Sequence, residues 1–146
     1  MTTTFALNKV QEVADIRTDT AAANLGALMQ SLQRQEAKLA LLLQYREEYQ
    51  ERLRRAKQRG LDGLALRNFH DFLDRLEHAL TEQRATVAHA QRCVERGRDE
   101  WRTLDQRSRA YDTLSQRFDK DARRRAETAE QKQQDVHAAR LTSSKI

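Results

Sequence analysis

The chain contains no proline, so nothing in it obliges a helix to stop or kink. It has four glycines, Gly26, Gly60, Gly63 and Gly97, and they are scattered rather than gathered into a phosphate-cradling loop. Neither a dinucleotide fingerprint nor a metalloprotease helix is present. Cys93 is the only cysteine, which excludes an intramolecular disulfide and suits a reducing compartment. No stretch approaches the roughly 20 apolar residues that a bilayer span needs, and the opening run from Met1 to Lys9 lacks the apolar core of a signal peptide. Charge of one sign is also scarce. Lys and Arg total 27 against 22 acids, so the surface is mixed and mildly basic, with a modest preference for acidic partners. These absences predict a cytoplasmic protein.

With 38% hydrophobic and 34% charged residues and a mean hydropathy of -0.91, the chain has too little apolar material for a wide core. That balance fits a narrow seam between helices. Disorder has a similar composition, but the net charge is only +5 and the apolar residues recur at regular intervals. Ala, Leu, Arg, Gln and Glu, all good helix formers, are abundant.

The first segment opens weakly, with Leu7, Val10, Val13 and Ile16 among polar residues and Thr2 to Thr4 as candidate caps. From Leu25 a heptad seam runs through Leu28, Leu32, Gln35, Leu39, Leu42, Arg46, Tyr49, Leu53 and Ala56. A second phase through Leu25, Met29, Leu32, Glu36, Leu39, Leu43, Arg46, Gln50 and Leu53 fits as well. The apolar stripe is therefore wider than one seam, and Leu39, Leu41, Leu42, Leu43, Tyr45 and Tyr49 cannot all face one partner helix. Some belong either to a shared core or to a surface for another protein.

Arg52, Arg54, Arg55, Lys57 and Arg59 close the first segment, where cations complement the negative end of a helix dipole, and Gly60 is placed to end it. Asp62 or Asn68 can cap the second helix. The second segment holds one unbroken register: Phe69, Leu73, Leu76, Leu80, Gln83, Val87, Ala90, Val94, Gly97, Trp101, Leu104, Ser108, Tyr111, Ser115, Phe118, Ala122, Arg125, Ala129, Lys132, Val136, Ala139. Fifteen of those 21 positions are apolar, too many for chance in so polar a chain, which assigns a coiled-coil helix.

The predicted fold is all-α, a single domain of two long helices in an antiparallel coiled-coil hairpin. Helix one covers about 5–59, the hinge 60–67, the longer helix two 68–139, and a frayed tail 140–146. When the first helix folds back, the second outruns it over Ala122 to Ala139.

No cofactor or metal site is expected. His89 and Cys93 share one helical face but lack the further ligands that a zinc site needs, and the row His70, Asp74 and His78 is assigned to a solvated face. Trp101, Tyr111 and Phe118 fall on the seam, so they are core aromatics rather than base-stacking platforms, and nucleic acid is not an expected partner. A membrane surface is not one either, because the amphipathic faces are committed to helix pairing.

At the hinge, Gly60-Leu61 followed by Leu66-Arg67-Asn68-Phe69, Phe72-Leu73, Leu76-Glu77 and Ala79 resembles the flagellar export protein family FliJ. The likeness extends upstream through Leu42-Leu43-Gln44-Tyr45, Glu48 and Tyr49, and downstream through Trp101-Arg102 and Tyr111-Asp112-Thr113-Leu114. The resemblance implies a non-enzymatic coiled-coil stalk, similar to the central shaft of the rotary ATP synthase. Its terminal end would enter and stimulate the hexameric export ATPase FliI, through Val10, Val13 and Ile16 with Arg123, Arg124 and Arg125. It would also bind the export gate FlhA and escort export chaperones. The family's gate-binding pattern is met by Leu42, Tyr45, Tyr49, Phe72, Leu76 and Ala79, whereas Lys38 and Gln83 depart from it. With Tyr45 and Tyr49 facing the gate, the second phase, through Met29, Leu39 and Leu43, becomes the internal seam. The implied location is cytoplasmic, at the inner face of the membrane and only through those partners. A virulence-type secretion stalk and a basic RNA-binding hairpin are the alternatives.

Overall fold

In the computed structural model, which describes residues 2–144, the chain forms two helices, α1 (Thr2–Arg59) and α2 (Gly63–Ser143), with no strand among the described residues. The second is longer, 81 residues against 58. The helices pack against each other, as the two heptad patterns require. They fall into two compact units, one comprising the chain up to Asp19 and from Arg102 onward, the other Thr20–Trp101.

The turn between the helices is shorter than expected, because helix two begins at Gly63 rather than at residue 68. Gly60 stands at φ 91°, the left-handed conformation that a side chain disfavours, and its amide donates to the Lys57 carbonyl at 3.3 Å. Two residues later Asp62 caps α2. Its Oδ1 accepts the Ala65 amide at 2.7 Å and its carbonyl accepts the Leu66 amide at 3.0 Å. Asn68 lies inside the helix. Helix one likewise starts at Thr2, three residues early, and α2 runs to Ser143 rather than fraying at 140; residues 145–146 lie outside the described range.

Among the described residues six apolar side chains are buried, and all belong to the Thr20–Trp101 unit: Ala21, Leu53, Leu76, Leu80, Val87 and Val94. Leu80 is fully enclosed. Pairing in this unit is antiparallel, since Arg46 meets Glu77, Gln35 meets Gln83 and Leu28 approaches Gly97. A methyl group on Gly97 would lie 2.8 Å from Leu28 Cδ1, so this seam position admits no side chain without displacing that leucine. The polar seam positions are satisfied rather than wasted. Gln83 Nε2 donates to both the carbonyl and the Oε1 of Gln35 at 2.9 Å, and Arg46 reaches out to Glu77 at 3.1 Å.

Helix one uses the first of its two phases. Leu28, Gln35, Leu42, Tyr49 and Ala56 turn inward, whereas Met29, Glu36 and Gln50 are exposed. The second phase, favoured by the resemblance, is thus overturned as the internal seam, although Leu39 and the half-buried Leu43 remain at its margin. Helix two decides the matter, because Phe69 of its register packs at a tilt of 59° against Tyr49, with ring centroids 5.4 Å apart, and holds that tyrosine inside.

In the unit that joins the ends, the inward residues of α1 are Leu7, Gln11, Ala14 and Thr18. They continue the same heptad step backward from Leu25. Val10, Val13 and Ile16 do not, because each three-residue step falls about 60° short of a full turn. The α2 partners are Leu104, Ser108, Tyr111 and Ser115, so this seam is largely polar. Ser108 Oγ donates to Asp15 at 2.6 Å, Gln11 Nε2 donates to the Ser108 carbonyl at 3.2 Å, and the Thr18 hydroxyl lies 3.2 Å from the Leu104 carbonyl. The side-chain amide oxygen of Gln11, Oε1, is enclosed without a hydrogen-bond partner.

From Gln116 to Ser144 every residue of α2 and its end is exposed, so Phe118, 41% exposed, is not the core aromatic its register position predicts. Loss of the partner therefore begins six residues before Ala122, because Leu7 is the first inward residue of α1. Helix-forming composition sustains this stretch, with i, i+4 support such as Gln131 Nε2 to Asp135 at 3.2 Å.

Candidate functional site

Near the turn, the wide apolar stripe on α1 and the residues that flank the α2 register converge. Tyr49 stacks on Phe72 with centroids 4.0 Å apart and ring planes inclined by 28°, and the Arg52 guanidinium stands 5.9 Å over the Tyr49 ring. Tyr45, Glu48, Tyr49, Arg52 and Phe72 line a shallow cavity of about 260 Å³. Tyr45 is 47% exposed and Phe72 40%, high values for aromatic rings, so this cluster offers apolar surface outward.

The six residues of the expected gate-binding set are not equivalent. Tyr45 and Phe72 are outward, Leu42, Tyr49 and Ala79 are half-buried, and Leu76 is buried in the seam. Tyr49 joins the two groups, since one ring packs inward on Phe69 and sideways on Phe72. Lys38 is exposed and Gln83 is held by Gln35.

A second apolar surface lies in the unit of the two ends. Val10, Val13, Ala14, Leu104 and Tyr111 form a groove of about 280 Å³ whose other lining residues are the cations Lys9, Arg17 and Arg107. Two of the expected ATPase-facing residues, Val10 and Val13, line it; Ile16 does not, yet is 59% exposed. Arg123, Arg124 and Arg125 are exposed on the unaccompanied part of α2. A rim of guanidinium and ammonium groups around an apolar floor suits a partner segment with both apolar and acidic side chains.

One charge cluster has a shifted titration. Glu51 accepts two bonds from Arg54, at 2.6 and 3.0 Å, and one from Arg55 Nε at 3.1 Å. The hydrogen bond from Arg54 lowers the Glu51 pKa to about 2 and raises that of Arg54 itself. A lowered acid pKa means that the pairing contributes fully above the ordinary value of 4.5 and is lost as pH falls through about 2. All three side chains are substantially exposed, so the contribution to stability is small. Carboxyl-carbon NMR is expected to show Glu51 titrating near 2 and Arg54→Ala moving its midpoint upward toward 4.5. An unchanged midpoint in the variant would show that Arg54 is not the cause.

His89 Nε2 and Cys93 Sγ are 3.6 Å apart, with Arg96 Nη2 donating to the sulfur at 3.4 Å. Among the described residues no three His, Cys, Asp or Glu side chains are gathered so as to hold a metal ion. No described helix is long and apolar enough to cross a membrane.

Two paired helices that turn aromatic and aliphatic side chains outward define a protein built around helix pairing and contact surfaces. The chain belongs to the FliJ family: the family described as flagellar FliJ protein matches residues 3–145. It is thereby a flagellar export component. The flagellar FliJ protein of Escherichia coli is 28% identical over 140 residues, covering 96% of this chain and 95% of that protein. The flagellar FliJ protein of Salmonella typhi has the same identity and coverage.

Proposed function

We propose that the chain is a non-enzymatic stalk of the flagellar export apparatus, coupling the hexameric export ATPase FliI to the export gate FlhA and escorting export chaperones. The family match across nearly the whole chain carries this reading and favours the flagellar over the virulence-type assignment. The groove of Val10 and Val13, with Ile16 and Arg123 to Arg125, is the surface proposed for the ATPase. Its cationic rim supports an acidic and apolar partner. The Tyr45, Tyr49 and Phe72 cluster, bordered by Leu42 and Ala79, is the surface proposed for the gate. Leu76 supports that surface from within the seam. Association with the membrane comes through these partners.

The test is to mix the protein with the export ATPase of its own organism and follow hydrolysis and ring assembly. Stimulation that falls at least about tenfold in Val10→Asp with Val13→Asp is expected, from loss of two apolar contacts at one interface. Failure of the wild-type chain both to stimulate and to co-elute with the ATPase would defeat the reading.

A further inference from the structure

The chain's formal charge is +5, and residues 52–67 account for all of it. Arg52, Arg54, Arg55, Lys57, Arg59 and Arg67 stand against Asp62 alone, six cations less one acid. Glu51, which pairs with Arg54 and Arg55, offsets only one of them. Asp62 is engaged by the Ala65 amide as the cap of α2. Arg52, Arg55 and Arg59, with Ala56, Gly60 and Leu61, line an open concavity of about 380 Å³. In the same 52–67 stretch Leu64, in the first turn of α2 and three residues before Arg67, is 69% exposed, the highest value among the exposed large apolar residues described. The outer side of the turn is unobstructed, since a Cβ on Gly60 or Gly63 would meet nothing within 4 Å.

We propose that this turn docks directly on an anionic bilayer surface, with Leu64 entering the boundary between headgroups and acyl chains while the guanidinium groups of residues 52–67 take lipid phosphates. Five of the six cations are arginine, whose planar fork matches phosphate oxygens. Their long stems let the charged heads stay at headgroup level while Leu64 goes deeper. A protein partner would call for a packed or concave apolar face. The concavity here is lined by Arg52, Arg55 and Arg59 rather than by an apolar face, and the exposed large apolar side chain of the stretch is the single Leu64, a combination that suits a deformable medium. The seam does not compete for this contact, because Leu64 is off it. With one inserted leucine and a handful of cations, binding is reversible and salt-sensitive. The contact adds to any association made through protein partners and does not depend on the flagellar reading.

Flotation of the full chain with phosphatidylcholine vesicles, with and without about 30% phosphatidylglycerol, tests the proposal. Binding is expected only to the anionic vesicles. Lys57→Gln with Arg59→Gln should lower the partition coefficient by about tenfold or more. Leu64→Gln should lower it several-fold at constant charge. Arg92→Gln with Arg98→Gln, which removes two exposed cations elsewhere on α2, should leave it unchanged. Circular dichroism melts confirm that each variant still folds. Equal loss in both double variants would reduce the effect to net charge and overturn the proposal. So would an unchanged Leu64→Gln, absence of binding by the wild type, or displacement from vesicles by RNA or an acidic polypeptide at lower concentration than by anionic lipid.

Discussion

Leu80→Ala is expected to lower the unfolding free energy by about 3 kcal/mol, within the range of roughly 2–5 kcal/mol for truncating an enclosed leucine. Among the described residues Leu80 is the one fully enclosed large side chain, and six apolar residues are buried. A two-helix seam has no third layer that can collapse into the space left behind, so the packing around the cavity recovers little. The expected fall in Tm is about 10 °C, taking roughly 3 °C per kcal/mol for a chain of this size. Urea titration followed by circular dichroism measures the stability, with Leu64→Ala as the exposed counterpart that should change it by less than about 0.5 kcal/mol. Equal effects from the two truncations would mean that the seam around Leu80 is not the main source of stability. Leu104→Ala should have a smaller effect than Leu80→Ala, because Leu104 is only half-buried among serine and threonine neighbours.

Tyr45→Ala with Phe72→Ala is expected to weaken binding to the export gate at least about thirtyfold, the scale of removing aromatic anchors from the centre of an interface. Both rings are outward, so folding should change little. Within the chain the double substitution chiefly removes the stacking of Phe72 on Tyr49, worth about 1 kcal/mol. Calorimetric titration of the cytoplasmic part of the gate into each chain, beside thermal melts of both, distinguishes the outcomes. Retained affinity would remove this cluster from the proposed interface. A collapse of helicity would show instead that the rings are core.

The mixed results within the expected gate-binding set have a physical origin. A heptad reading gives each residue one of two fates, inside or outside, and Tyr49 has both. Its ring is long enough to begin in the seam against Phe69 and end at the surface against Phe72. Leu42 and Leu43 are also both half-buried, so neither phase of α1 could be excluded on apolar content alone. Phe69 resolves the choice, and it lies on the other helix. In the unit of the two ends, Val10, Val13 and Ile16 are large and apolar yet exposed, whereas the inward positions Gln11 and Thr18 are polar. Extending the heptad step backward from Leu25 finds Ala21, Thr18, Ala14, Gln11 and Leu7. Hydropathy alone does not.

Much of the architecture was determined by the sequence itself. Absence of proline, abundance of helix formers and one unbroken register from Phe69 onward favour two long helices, and Gly60 with Asp62 supplies the stop and the cap that allow the reversal between them. Such features depend on local backbone preference and on a period along one chain, and both are written residue by residue. The tertiary structure alone decided which stripe of α1 faces α2, where α2 runs out of a partner, and that Val10 and Val13 share a groove with Lys9, Arg17 and Arg107. Those outcomes depend on how side chains from two distant segments fill the same space. A periodicity read along one segment at a time does not contain that information.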